Sequence, residues 1–416
     1  MSQHIDCVVI GAGASGMMCA GTAAENGNRV VVVEKNKMAG RKLLITGKGR
    51  CNVTNATFDL QGLLEHIPTN PRFLYSAFSN FMPYDTIALL EDLGVSTKIE
   101  RGERVFPVSD NATDIVDALV RRAKNAGVQF LQGTVERLEL TEDGRRVQAV
   151  HLTDGRRLTC DSVAVCTGGC SYPATGSTGD GYTMAAALGH TIVPPRGSLV
   201  PLESDDADCA AMQGLSLRNV EATVYNGKHK PVFREFGEML FTHFGVSGPL
   251  MLSASAHLRR WDKEQYTLSI DLKPALDEQK LDARILRDVG ENPNRDMANI
   301  LSGLVHRSMV PVLLRRLALP EGEKANSLTK EQRRRLVQEL KHFTVSLTGP
   351  RPVAEAIVTA GGIKVGEVVP NTMASKLVEG LYFAGEVLDV DAYTGGFNLQ
   401  IAWATGYLAG LSAAER

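Results

Sequence analysis

The strongest constraint on this chain lies in residues 5–34. Ile5–Ile10 is a short apolar run, mostly β-branched, as expected of a strand buried on both faces. Gly11-Ala-Gly-Ala-Ser-Gly16 follows at once, and Met17–Glu25 is a good helix former closed by Asn26-Gly27. Arg29–Val33 reads as a second buried strand and ends at Glu34, completing a βαβ unit. Three glycines at this spacing between strand and helix, with an acid 18 positions after the last, form the fingerprint of dinucleotide binding. Gly11 permits the tight turn, Gly13 lets the backbone approach a pyrophosphate, and Gly16 lets the helix pack close to the strand. The helix start supplies N–H groups and partial positive charge for phosphates. Glu34 is placed to accept hydrogen bonds from a ribose diol.

Composition narrows the class. The chain has 416 residues, 44% hydrophobic and 22% charged, which is ordinary for a globular protein of two or three domains. The 45 Lys+Arg against 47 Asp+Glu leave a net charge of −2 and exclude a strongly basic footprint over the whole chain, so no nucleic-acid partner is expected. No apolar run reaches the roughly 18 residues of a membrane span, so no membrane partner is expected. The start, Met1–Asp6, lacks the marks of a signal peptide. The seven cysteines are scattered, with no CxxC and no metal-like Cys/His cluster, so no metal is expected. A reduced, cytoplasmic setting fits this cysteine usage.

Further along, a Gly- and basic-rich loop spans Gly40–Asn52, and helices are expected near 71–81, 84–93 and 114–126. Residues 96–107 read as a hairpin turning at Arg101-Gly102, and 128–138 and 146–153 as strands around Asp143-Gly144. Ser162–Cys166 is another buried strand, and it leads to Thr167-Gly-Gly169. Pro194-Pro195 marks a boundary. Residues 195–345 read as an insertion, β-rich over 195–275 and helical and charged over 276–345. Arg333–Arg335 there reads as a solvated helix face, a basic patch for an acidic partner being the lesser alternative. Residues 1–194 and 346–416 are then one α/β domain, ending in the strand Gly380–Ala384, Gly385-Glu386, and a long Ala-rich helix opened by Gly395-Gly396. A second segment this far downstream suits the length of FAD, and the helix start could face the flavin N1/O2 edge.

Four motifs carry a resemblance over essentially the whole chain. They are Gly11–Gly16 with Glu34, the loop Gly40–Asn55, Ser171–Gly181, and Phe383–Asn398. Together they resemble the bacterial BaiN/YhiN-like FAD-binding oxidoreductases, also labelled aminoacetone-oxidase-like. The resemblance implies a glutathione-reductase-type FAD-binding Rossmann domain split by an inserted β-barrel-like plus helical domain. It also implies a cofactor shell. Ala14 and Ser15 lie at the pyrophosphate, Lys35 on the adenine side, and Arg41 and Lys42 beside the diphosphate. Cys51 and Asn52 end the Gly-rich loop beside the flavin, Val135 offers backbone to adenine, and Thr167-Gly168 turns under the phosphates. Gly385-Glu386 and Gly396-Phe397-Asn398-Leu399 hold ribitol and ring.

No CxxxxC pair accompanies Cys51, so disulfide reduction is not expected, and Cys51 reads first as a small buried apolar group. No second nucleotide domain is visible, so NAD(P)H, if it is the donor, visits transiently. Tyr172, Tyr393 and His243 are the candidate catalytic groups facing a small-molecule substrate. Tyr172 follows the Thr167–Gly169 turn, Tyr393 precedes Gly395-Gly396, and His243 lies among aromatics in the insertion, where a satisfied core histidine is the commoner outcome. The resemblance implies NAD(P)H-dependent reduction of a conjugated enone. An O₂-using amine oxidase, from the family's other label, and a non-catalytic flavoprotein are the alternatives.

Overall fold

Five parallel strands share one sheet, and the β-branched runs of its central strands are what bury it on both faces. The computed structural model describes residues 4–415. Strand β1 (Ile5–Ile10), helix α1 (Ala14–Glu25) and β2 (Val30–Glu34) form the expected unit. Helix α2 (Ala112–Asn125) leads to β3 (Gln129–Gln132), β4 (Val135–Leu140), β5 (Val147–Leu152) and β6 (Arg157–Val165). Near the end come β7 (Leu381–Phe383) and α3 (Phe397–Ala414). The sheet order is β3-β2-β1-β6-β5-β4, with β7 also on β6. Val8 pairs with Val31 and Val163, and Phe383 with Val165, all in parallel.

Two expectations need correction. Residues 128–138 are not one strand. The Gly133 N–H donates to the Glu34 carbonyl at 3.0 Å, which ends β3; the chain then leaves as β4, antiparallel to β5. Strand β6 also begins at Arg157 rather than Ser162. Its first half pairs antiparallel with β5 and its second half parallel with β1, so one strand joins the β4–β5 hairpin to the parallel sheet.

The described chain divides into two compact units, residues 1–198 with 353–416, and residues 199–352. In the second unit an antiparallel sheet runs in the order 343–347, 266–271, 216–226, 231–242, 245–247, 202–203, 349–350. Residues 343–350 thus supply both ends of that sheet. Its core includes Leu268 and Ile270 of the sheet and Leu281, Ile285, Leu336 and Leu340 of the helices. Arg333 Nε donates to Asp282 at 2.6 Å and Arg335 to the Arg316 carbonyl at 3.1 Å, which spends two cations of that arginine run inside the unit. Among the described residues no helix is long and apolar enough to cross a membrane.

Helices α1 and α3 pack together without room for side chains at two points. A Cβ on Gly406 would stand 2.4 Å from the Ser15 carbonyl oxygen, and one on Gly410 2.5 Å from that of Cys19. The two glycines lie four apart on one face of α3, as their partners do on α1. Gly406→Ala should therefore lower stability by about 1–3 kcal/mol through forced separation of the helices. Urea denaturation of the purified protein measures this, and Ala at Gly189, where a Cβ meets nothing within 4 Å but φ is +90°, gives the cost of backbone strain alone for comparison.

Candidate cofactor site

Because β1, β2, β6 and β7 are parallel, their carboxyl ends lie along one edge of the sheet. That edge gathers Gly11–Gly16, Glu34, Thr167-Gly168 and Gly385-Glu386 from four distant parts of the chain, in the position where open α/β sheets bind ligands. The three glycines of the fingerprint differ in what surrounds them. Gly11 has φ +99° and a Cβ there would meet the Cys166 carbonyl oxygen at 2.7 Å. A Cβ on Gly16 would meet the Gly11 oxygen at 1.9 Å. A Cβ on Gly13 would meet nothing within 4 Å, so the space above this turn is open. Ser15 is buried beneath it, and Gly385 abuts its hydroxyl, 2.5 Å from an added Cβ.

The Glu34 carboxylate accepts from the Ala12 N–H at 2.7 Å and from the Asn36 N–H and Nδ2, both at 2.8 Å. It thereby ties the end of β2 to the glycine turn. Lys35 is paired with Asp180 at 2.6 Å, and Arg41 donates to Asn36 Oδ1 at 2.9 Å. Val135 is half-buried at the start of β4. Lys42 points inward. Its Nζ donates to Ser171 Oγ at 2.6 Å and to Glu386 Oε2 at 2.8 Å. Glu386 also accepts from the Thr359 N–H at 2.8 Å and Ser171 Oγ at 3.1 Å. Burial alone would raise the Glu386 carboxyl; Lys42 and the hydrogen bonds outweigh it and hold the group below the usual carboxylate range.

The expected loop at 40–52 is in part a short helix, Arg41–Ile45, followed by a tight reversal. Gly47, Lys48, Gly49 and Cys51 all have positive φ there, at +56°, +60°, +84° and +61°. Lys48 is exposed. Left-handed backbone at two non-glycine residues is the kind of strain that a well-determined site sustains. Cys51 is fully buried and its thiol is pushed up to about 12 by desolvation, so it stays neutral and packs.

Residues 53–55 are fixed by α3, which no local signal in the sequence announced. Trp403 Nε1 donates to the Val53 carbonyl at 2.8 Å, Thr54 Oγ1 to the buried Gln400 Oε1 at 2.7 Å, and Asn55 Nδ2 to the Gly395 carbonyl at 3.0 Å. Gly396, at φ +103°, stands against this segment; a Cβ would lie 2.3 Å from the Thr54 oxygen. A side chain at 396 thus collides with protein, which by itself requires glycine here. Phe397 is buried and stacks on His66 at 4.1 Å, and Leu399 is half-buried. The Asn398 amide is spent on the Ala392 N–H and carbonyl, at 2.9 and 2.8 Å, and holds the loop that bears Tyr393.

Two buried polar atoms along this region have no hydrogen-bond partner, Thr167 Oγ1 and Asn52 Oδ1. Such atoms are costly unless a ligand or water completes them. Together with the open space over Gly13, they fit a bound dinucleotide. Tyr172 is 39% exposed with φ +50°, on the loop that Ser171 anchors to Glu386. Tyr393 donates its N–H to the His66 carbonyl at 3.0 Å. His243 belongs to the second unit and sits exposed on the turn before Gly245–Ser247, beside Phe244, so it is not the satisfied core histidine expected.

Lys42→Met should destabilise the protein by roughly 2 kcal/mol, because it leaves Glu386 charged and largely buried; partial exposure of both groups keeps this below the cost of breaking a fully buried pair. Lys42→Met/Glu386→Gln should recover part of that loss. Denaturant midpoints of the two single variants and the double check it, and simple additivity would count against the coupling.

The family described as HI0933-like protein Rossmann domain matches residues 5–412. The 3-dehydro-bile acid delta(4,6)-reductase of Clostridium scindens is 31% identical over 413 residues, 98% of each chain. The ribosomal RNA dihydrouridine synthases of Haemophilus influenzae and Escherichia coli are 31% and 32% identical, over 100% and 97% of each chain. Among solved structures, a 3-ketosteroid-delta4-(5alpha)-dehydrogenase from Rhodococcus jostii shares the fold, with a TM-score of 0.55, 16% identity, and 100% of this chain and 98% of its own covered. From the glycine turn, the parallel strand ends and these full-length matches, the chain belongs to the HI0933-like Rossmann family, the BaiN/YhiN-like flavoproteins, and is an oxidoreductase.

Proposed function

We propose that this protein binds FAD at the strand-end edge and reduces a carbon–carbon double bond conjugated with a carbonyl, with NAD(P)H as the transient donor. One observation carries the reading. Relatives of nearly equal similarity have names that describe the same bond chemistry on different molecules. In a 3-dehydro steroid the delta-4 and delta-6 double bonds are both conjugated with the C3 carbonyl, and dihydrouridine forms from uridine by saturating the C5=C6 bond beside C4=O. In each, the hydride would add at an electrophilic carbon of the conjugated system (C5 or C7 of the steroid, C6 of the uracil) and the proton at a carbon that takes up the displaced electron pair.

FAD, when bound, supplies a two-electron carrier between nicotinamide and substrate. The chain's own residues bind and orient. Gly13, Ala14 and Ser15 offer backbone at the pyrophosphate, Glu34 the ribose acceptor, and Thr167 and Asn52 their unpaired oxygens. Lys42 acts through Glu386, as its counter-ion, rather than directly on a diphosphate. Tyr172, exposed on an anchored loop, is the better-placed proton donor, with Tyr393 second. Residues 199–352 form the insertion in this reading, and the supply of both sheet ends by 343–350 supports a barrel-like form. A uracil substrate within RNA is the second reading. The two synthase relatives favour it over the expectation, drawn from net charge, that nucleic acid plays no part.

Anaerobic mixing with NADH or NADPH should bleach the flavin band, and a steroid 4,6-dien-3-one or oligouridylate should restore it without O₂. Bleaching by a small amine but by neither nicotinamide would replace this reading with an amine oxidase. Separately, Thr167→Val should weaken FAD binding by about threefold to tenfold, the worth of one hydrogen bond, while the apo-protein's Tm holds or rises because an unpaired buried hydroxyl is removed. A lower Tm with unchanged FAD affinity would remove Thr167 from the site.

A further inference from the structure

We infer that one end of the sheet in residues 199–352 is a surface that holds a single-stranded RNA backbone; this rests on the RNA reading of the substrate given above. Strands Ser216–Asn226 and Pro231–Thr242 meet in an exposed tip, Gly227–Lys230. Asn226 fixes the tip's backbone. Its Oδ1 accepts from the Lys228 and Lys230 N–H groups at 3.1 and 3.0 Å, and its own N–H donates to the Lys230 carbonyl at 3.0 Å. The side chains of Lys228, His229 and Lys230 are left without a hydrogen bond or carboxylate partner among the described residues.

The neighbouring strand brings a second loop alongside. Asn226 pairs with Tyr266, and the ideal Cβ position of Gly227 lies 3.8 Å from the backbone N and O of Gln265. The loop ahead of Gln265 carries Arg259, Arg260 and Lys263, of which Arg260 pairs with Glu264 at 3.6 Å and Lys263 with Asp262 at 3.8 Å, both as exposed surface pairs, while Arg259 Nε donates to the Ala256 carbonyl at 3.1 Å. With the tip lysines the surface holds a formal charge of +3, in a chain whose net charge is −2. Trp261 sits half-buried between these cations, its ring edge-on to Tyr266 at 4.7 Å. Cations along a fixed edge with an aromatic among them are what a flexible phosphate chain with stacking bases requires.

The test uses the full-length, FAD-loaded protein and a fluorescent oligouridylate. Wild type should bind with strong salt dependence. Lys228→Ala/Lys230→Ala lies wholly on an exposed turn, so it leaves the fold intact. It should weaken binding and lower the slope of log K against log salt by about 1.4, for two lost contacts to a single strand. Trp261→Ala should weaken binding with the slope retained. Wild-type affinity and slope in the lysine variant would overturn the assignment. So would equal binding of polyglutamate that is lost with the lysines but indifferent to Trp261, which would make this a surface for an acidic protein. Reduction of a steroid dienone by the same variants separates the two proposals. It should be unchanged if the surface serves RNA alone, whereas failure of wild type to reduce any conjugated carbonyl compound would sink the reaction and leave the binding result standing.

Discussion

The contact between the first and last helices of the α/β unit governs where everything else in the site can be. Gly16 rests on the Gly11 carbonyl, Gly406 on the backbone of Ser15, and Gly385 on the Ser15 hydroxyl. Ser15 is thus held between two segments, its backbone against α3 and its side chain against the turn after β7, next to the glycine turn that closes on itself. Close packing of this kind leaves little freedom to slide, because interiors have few voids and backbone atoms cannot be repacked as side chains can. The turn before α1, the turn after β7 and the body of α3 are therefore held as one piece, with the open space over Gly13 beside them.

Electrostatics then secures the remaining segments to that piece. The Lys42–Glu386 pair, with Ser171 and the Thr359 N–H, joins four stretches of chain around one carboxylate. Gln400 and Trp403 do the same with neutral hydrogen bonds to the stretch after the Gly-rich loop. Groups as buried as these are stable only when satisfied, so each bond both stabilises and specifies. Thr167 Oγ1, in the turn that follows β6, and Asn52 Oδ1 are among the buried atoms that depart from that rule.

The chemistry that the relatives' names have in common concerns a bond type more than a molecule. A conjugated carbonyl polarises its double bond whether it sits in a steroid or a pyrimidine, so one flavin arrangement can serve both. What then distinguishes substrates is the surface that binds the rest of the molecule. An anionic polymer needs fixed cations outside the reacting centre, and a steroid needs none.

Residues 5–34 were legible in the sequence because their signal is local. Strand, turn, helix and strand follow within one βαβ unit, and each glycine has a short-range steric reason. The strand before Gly385 and the long final helix were legible for the same reason. The sequence alone thus determined the Rossmann character of the chain and most of the edge at which a dinucleotide would lie. It did not determine that Lys42 turns inward to Glu386, 344 residues away, or that Gly396 is required by the Thr54 carbonyl. It did not show that Gln400 pins Thr54 and Thr86 to α3, nor that 128–138 breaks into strands of two different pairings. Those outcomes depend on which distant groups come within hydrogen-bonding or contact distance once the sheet and helices close. That is settled by packing in three dimensions, and the spacing of residues along the chain carries no record of it.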